Sequence, residues 1–179
     1  MKTLREELQV IEDRSLDYHE LSTILAHRVA GLTVKYTDLA PLKDRYTMND
    51  ILPGHVNAGL VLLTARLNSK VQRHWVVFLR HADNRISYFD SLALGPHTLS
   101  SYMKDKGYFA AFIKKNRCDV NKKRHQKSTD AIRTCGLHCC CRMVKHQLRN
   151  SQYDHWMFSV RMPPDEIVAL LTFIGHLSI

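Results

Sequence analysis

The sequence predicts an α+β fold in which a small central sheet, mixed or antiparallel, is flanked by helices. Two changes of hydrophobic period carry that reading. Apolar residues recur at helical spacing near both ends of the chain, while residues 60–89 break into short runs rich in β-formers. A length of 179 residues with 45% apolar and 24% charged side chains suits one domain, 1–179, with a core of its own. The same balance excludes a disordered, collagen-like or low-complexity chain.

Along the first thirty residues, Leu4, Leu8 and Ile11 share one helical face, and Leu21, Ile24, Leu25 and Val29 share a second. Ser15 is placed to cap the second helix and Gly31 to end it. Residues 32–58, broken by Pro41 and Pro53-Gly54, read as irregular. Leu60 to Leu67, Trp75 to Leu79 and Arg85 to Phe89 follow as a meander of strands, separated by Asn68-Ser69-Lys70 and His81-Ala82-Asp83-Asn84. Helix returns after Pro96, around Leu99 to Met103. The stretch Lys114 to Asp130 is polar, basic and without period, and reads as an exposed loop. Thr134 is placed to cap a helix running to Leu148. Pro163-Pro164-Asp165-Glu166 opens the last helix, whose face carries Ile167, Leu170, Leu171 and Ile174.

No apolar run reaches the ~18–20 residues of a membrane span, so no membrane partner is expected. The charged start, Met1-Lys2-Thr3-Leu4-Arg5-Glu6-Glu7, carries no secretory pattern. Five cysteines in that setting fit free thiols in a reducing compartment, and four of them crowd between Cys135 and Cys141, a spacing no disulfide framework uses. The net charge is +9, from 26 basic and 17 acidic residues. Between Lys114 and Arg149 eleven basic residues stand against two acidic ones, so this segment holds the whole surplus. A local basic block points to an anionic partner such as nucleic acid, beside the plainer reading of a solvated loop and helix face.

Three features line up as chemistry. His74-Trp75 enters the strand Val76 to Leu79, and Asp90 ends the next strand, Ile86 to Asp90. A short turn joins the two strands, so they should pair antiparallel and bring His74 beside Asp90. A carboxylate there fixes the imidazole tautomer and stabilises the imidazolium, which a catalytic base requires. Cys135 begins the helix after the basic loop, where free amides and the helix dipole favour a thiolate. Gly136 lets a substrate carbonyl approach the backbone, the Cys135 amide is one oxyanion donor, and Gln126 is the side-chain amide upstream that can supply another. Taken singly, each residue has a plainer use: a satisfied core histidine, a strand-ending turn, a buried thiol. Their joint order and adjacency make the case.

His74-Trp75, Tyr88-Phe89-Asp90-Ser91, Gln126 and Cys135-Gly136-Leu137-His138-Cys139-Cys140 together resemble the adenain-like cysteine proteases of viruses and virus-like transposons (adenovirus, polinton and virophage types), in the clan that also holds the ubiquitin-like-modifier proteases. The resemblance covers roughly residues 55–177, and the helical N-terminal region, residues 1–50, matches weakly. It implies that family's fold, with Cys135 as nucleophile, His74 as general base, Asp90 as orienting acid and Gln126 as oxyanion donor. It implies maturation of viral capsid or core precursors by cleavage after small residues such as glycine, in the virion and the infected cell, without secretion. Deconjugation of a ubiquitin-like modifier is the alternative within the same chemistry. DNA as an activator and an activating peptide are the further partners it suggests. The basic block supplies Lys122, Lys123, Arg124 and Lys127 for phosphate contacts, and bound DNA would then order the neighbouring loop. One departure stands. The family places its Gln six or seven residues before the Cys, where this chain has Thr129 and Ser128, whereas Gln126 lies nine before. Either the loop Lys127 to Thr134 bulges or a backbone amide is the donor.

The competing class is a basic zinc module that binds nucleic acid, drawing on Cys118, His125, Cys135, His138, Cys139, Cys140, Cys141 and His146. Three consecutive helical cysteines point about 100° apart, which prevents them from converging on one tetrahedral ion. No metal is therefore assigned. On the protease reading Cys139 and Cys140 face the core.

Overall fold

A computed structural model describes residues 3–25, 31–39, 46–67, 70–129 and 132–175. Val29, Pro41, Asn68, Ser69 and Asp130, each used in the sequence reading, lie outside them. The architecture is α+β. The elements run α1 (Leu4–Glu12), α2 (Tyr18–Leu25), β1 (Val34–Asp38), α3 (Met48–Ile51), β2 (Ala58–Leu67), β3 (Lys70–Arg80), β4 (Ile86–Phe89), α4 (Pro96–Met103), α5 (Tyr108–Lys115), β5 (Asp119–Val120), α6 (Cys135–Val144), α7 (Asn150–Phe158) and α8 (Pro164–Phe173).

The sheet is mixed, in the spatial order β1-β2-β3-β4-β5. β2, β3 and β4 form the expected antiparallel meander, while β1 and β5 add to its two edges in parallel. Alternation along the strands fills two cores. Leu60, Leu62, Trp75, Val77, Leu79 and Phe89 pack under α2, α6, α7 and α8. Val61, Leu63, Val76, Phe78 and Tyr88 pack under α3, α4 and α5, chiefly against Ile51, Leu52, Leu99, Phe109, Phe112 and Ile113. Helices therefore cover both faces, and the central strands are buried on each side.

Several local expectations are corrected. Residues 32–58 hold β1 and α3. Four of the five β1 residues are half-buried, so no in–out alternation marks the strand. Asp17 takes the place of Ser15 at the start of α2: its carboxylate accepts from the Glu20 amide at 2.9 Å, and Glu20 accepts from the Asp17 amide at 2.9 Å. The described stretch of α2 ends at Leu25, and Gly31, with φ at +80°, lies beyond it. His74 sits inside a longer β3, paired with Leu63 across to β2, and does not stand at the strand's entry. The segment from Lys114 is only partly loop. It contains the end of α5, then β5, and it buries Asn121, His125 and Gln126.

The helix from residue 135 stops at Val144 and not at Leu148 because of Arg142. That side chain is fully buried, donates to the carbonyls of Lys145 and Leu148 and to Asn150 Oδ1, and lies over the Tyr153 ring. It satisfies carbonyls that a helix end leaves open and so builds the corner into α7. Asn150 then anchors α7 to the sheet by donating to the carbonyls of Tyr88 and Asp119. Arg142 thus serves structure and leaves the exposed basic surplus. Arg149 pairs with Asp83 and leaves it too.

β2 passes unusually close to α3. A Cβ added at Gly59 would stand 2.5 Å from Ile51 Cγ2 and 3.0 Å from the Ile51 carbonyl oxygen. Gly59→Ala must therefore push α3 off the sheet, and overpacking of this kind costs about 1–3 kcal/mol. Thermal or denaturant unfolding should show a lowered midpoint, and an unchanged midpoint would contradict the close packing.

Candidate active site

The β3–β4 ladder closes at Val77 opposite Phe89. Asp90 leaves the sheet one residue later, while β3 continues past it through His74. His74 Nε2 and Asp90 Oδ1 are 2.6 Å apart. Asp90 is 1% exposed, and an unsatisfied carboxylate there would be costly. Its oxygens also accept the amides of Leu92 at 2.8 Å and Leu94 at 3.0 Å, in a turn where Ala93 adopts φ +48°. Asn121 clamps the same residue from the far side. It accepts from the Asp90 amide and donates to the Asp90 carbonyl, both at 2.8 Å.

With Nε2 engaged by Asp90, the other imidazole nitrogen remains for Cys135, and thiol and ring each favour the charged form of the other. Cys135 opens α6, as expected. The helix reaches the sheet because Gly136 has no side chain: a Cβ there would meet Leu21 Cδ2 at 3.0 Å and Trp75 Cδ1 at 3.4 Å. Trp75 is locked in turn by donating from Nε1 to the Leu16 carbonyl at 3.1 Å and by the Tyr36 ring at 5.7 Å.

The electrostatics follow from these contacts. Burial works to lower the pKa of His74, but the charge and hydrogen bond of Asp90, with Cys135 behind them, outweigh it and raise the ring to about 10. Burial works to raise the Cys135 thiol, yet His74 and the amides of Trp75 and Gly136 bring it below its ordinary value. Asp90, opposed by burial, is held low by His74 and by the Leu94 and Leu92 amides. Every other thiol of the chain moves the opposite way: burial raises Cys118, Cys139, Cys140 and Cys141. Cys135 is the cysteine set up as a thiolate, beside an imidazolium held by a carboxylate, and such a unit can perform nucleophilic and acid–base chemistry.

Gln126 is buried and tied to the same turn. Its Oε1 accepts from the Ser91 hydroxyl at 2.8 Å, its backbone amide donates to the Ser91 carbonyl at 2.9 Å, and Nε2 donates to the Ile132 carbonyl at 3.1 Å. One of its two amide hydrogens is thereby committed. Thr134 precedes Cys135 but its side chain does not cap α6, because its hydroxyl donates to Asp165. Cys139 and Cys140 are fully buried in the core, as expected, and Cys141 is buried beside them. Two histidines of the zinc alternative hold separate carboxylates: His125 bonds Asp154 at 2.7 Å and His138 bonds Asp165 at 3.0 Å.

Lys122, Lys123, Arg124 and Lys127 are all exposed. Lys123 lies over the Phe158 ring at 5.1 Å, and Arg124 donates to the Leu92 carbonyl at 3.2 Å. The loop that carries them makes hydrogen bonds of its own at Asn121, His125, Gln126 and Lys127. The sequence reading missed Asn121, Asp165 and the Leu92 and Leu94 amides. Only the last had a signal, since Asp followed by Ser at a strand end favours a turn closed by the Asp side chain.

No family model matches the sequence. The chain is similar to an uncharacterised protein, V9, of Sputnik virophage, at 25% identity over an aligned stretch of 141 residues that takes in 70% of this chain and 78% of the relative. No helix among the described residues is long and apolar enough to cross a membrane.

The electrostatics set the pH dependence of Cys135. A lowered thiol pKa places the thiolate at lower pH, so alkylation by iodoacetamide, followed by peptide mapping, should rise with its midpoint below the ordinary thiol value of 9.0. Asp90→Asn removes the charge that keeps His74 protonated, so the rise should shift to higher pH. A rise at or above the ordinary value in the unsubstituted protein would contradict the ion pair.

Proposed function

We propose that this chain is a cysteine endopeptidase of the adenain-like kind, with that family's fold, which matures viral precursor proteins by cutting after small residues such as glycine. The observation that carries the reading is the buried 2.6 Å contact between His74 and Asp90 on the strand pair that also faces Cys135. The virophage relative supports a viral setting, in the virion or the infected cell.

In this reaction the Cys135 thiolate adds to the scissile carbonyl, and the oxyanion formed is met by a backbone amide of α6 and by the free hydrogen of the Gln126 amide. The carbon–nitrogen bond breaks as His74 gives its proton to the leaving amine. Water then adds to the thioester, giving a proton to the now neutral His74, and Cys135 leaves as thiolate. Asp90 holds the ring through both steps and keeps its own charge.

Incubation with a peptide library, read by mass spectrometry, tests this directly. Cleavage after glycine or another small residue is expected, lost in Cys135→Ala and lowered by about 10²–10⁴-fold in His74→Ala, because general acid–base catalysis is worth that much. Cys118→Ala and Cys141→Ala should retain most of it. Cleavage that survives Cys135→Ala would end the proposal, and cleavage confined to a folded ubiquitin-like modifier would favour deconjugation instead.

DNA is proposed as a tether, held by Lys122, Lys123, Arg124 and Lys127. Duplex affinity should fall with salt at a log–log slope near −0.9 for each phosphate neutralised. Replacing the four by Ala should flatten that slope, and an unchanged slope would place DNA elsewhere.

A further inference from the structure

Asp165, in the first turn of α8, is 1% exposed and far from the thiolate in sequence. Its Oδ1 accepts from the Thr134 hydroxyl and, at 3.0 Å, from His138 Nε2. Its Oδ2 accepts from the Lys127 backbone amide at 2.9 Å. The two oxygens thus divide between two segments. Thr134 immediately precedes Cys135, and His138 lies one turn further along α6. Lys127 immediately follows Gln126. One carboxyl group therefore spans the start of the nucleophile helix and the segment that carries the amide, and it meets the nine-residue spacing of Gln126 to Cys135 by a contact from outside the loop.

We infer that Asp165 is a positioning residue which clamps the Gln126 segment to the first turn of α6 and so assembles the oxyanion site. The inference rests on the peptidase reading and adds a residue to it. Burial lowers the pKa of His138, so this ring is a neutral donor to the carboxylate and not a second charge. The carboxylate has a donor on each oxygen, as a buried charge requires. A neighbouring acid, Glu12 at the end of α1, is itself pushed towards its neutral form by burial and by Asp165. The other end of the oxyanion segment is fixed independently by Ser91, beside Asp90. The amide is thus held between the turn of Asp90 and the clamp of Asp165, while the His74–Asp90–Cys135 unit makes none of its hydrogen bonds to Asp165.

That separation gives the test. Iodoacetamide reports the thiolate without using an oxyanion site. A peptide aldehyde ending in glycinal adds reversibly to Cys135, and its carbonyl oxygen becomes the oxyanion of a hemithioacetal. Asp165→Asn keeps size and shape but replaces one acceptor oxygen by a donor; the Lys127 amide needs the remaining oxygen, so Thr134 and His138 must turn from donating to accepting, which weakens the bridge at α6. In the full chain, Asp165→Asn should leave the iodoacetamide rate at Cys135 within about twofold, while aldehyde affinity and kcat on the library-derived peptide fall on the order of 10²-fold with KM little changed, the usual loss when an oxyanion donor is misplaced. Thr134→Val removes one of the three bonds with less risk to folding and should move the same readings in the same direction by less. Unchanged aldehyde affinity in both folded variants would overturn the inference. So would equal losses in both readouts that track the fraction of folded protein, since a merely structural role predicts that. An unsubstituted chain whose Cys135 alkylates normally but forms no hemithioacetal would instead overturn the peptidase reading, and the clamp with it.

Discussion

The buried contact between His74 and Asp90 is the constraint on which the rest of the site depends. A carboxylate with 1% exposure is tolerated only when its oxygens are occupied, and here the imidazole and two turn amides occupy them. The charge so held raises His74 against the opposing effect of burial, and the protonated ring then lowers Cys135 against the same effect. Removing the carboxylate would take away the largest effect opposing burial at His74 and leave the thiol to the amides of Trp75 and Gly136, so the balance shifts towards a neutral ring beside a neutral thiol. The reactivity of Cys135 is thus set two residues away from the sulfur, by Asp90.

The fold holds that contact in register with a helix terminus. The antiparallel pairing of β3 with β4 delivers His74 and the Asp90 turn, and Asn121, just after β5, grips the Asp90 backbone. α6 arrives from the other side and can approach only because Gly136 leaves room for Leu21 and Trp75. Its tail is fixed by Arg142, whose guanidinium fills the corner between α6 and α7. Helices on both faces exclude water from the strands that carry the pair, and the low-dielectric surroundings strengthen each electrostatic contact inside.

Much of this was legible in the residues. The switch of period marked β2, β3 and β4, proline punctuation marked α4 and α8, and the short turn after β3 implied the adjacency of His74 and Asp90. What escaped did so for physical reasons. β1 pairs parallel at an edge and is half-buried on both sides, so its pattern does not alternate. α7 carries Asn150, Ser151, Gln152, Asp154 and His155 among its apolar residues and shows no clear apolar stripe. Arg142 read as surface charge because nothing in a sequence reveals that three carbonyl or amide oxygens await it. Asp165 read as an ordinary acid at a helix start, favourable to the dipole, whereas its partners come from 27 to 38 residues away. Contacts at that separation leave no local pattern.

The central claim is that Cys135, activated by His74 and Asp90, is the nucleophile towards a peptide carbonyl. The most direct measurement is labelling of the whole protein with a peptide electrophile ending in a glycine vinyl sulfone, followed by intact mass and site mapping. The account predicts a single adduct, on Cys135, formed much faster than on any other thiol and abolished by His74→Ala in a chain that remains folded. An adduct spread over several cysteines, or formed on Cys135 as readily without His74, would contradict it.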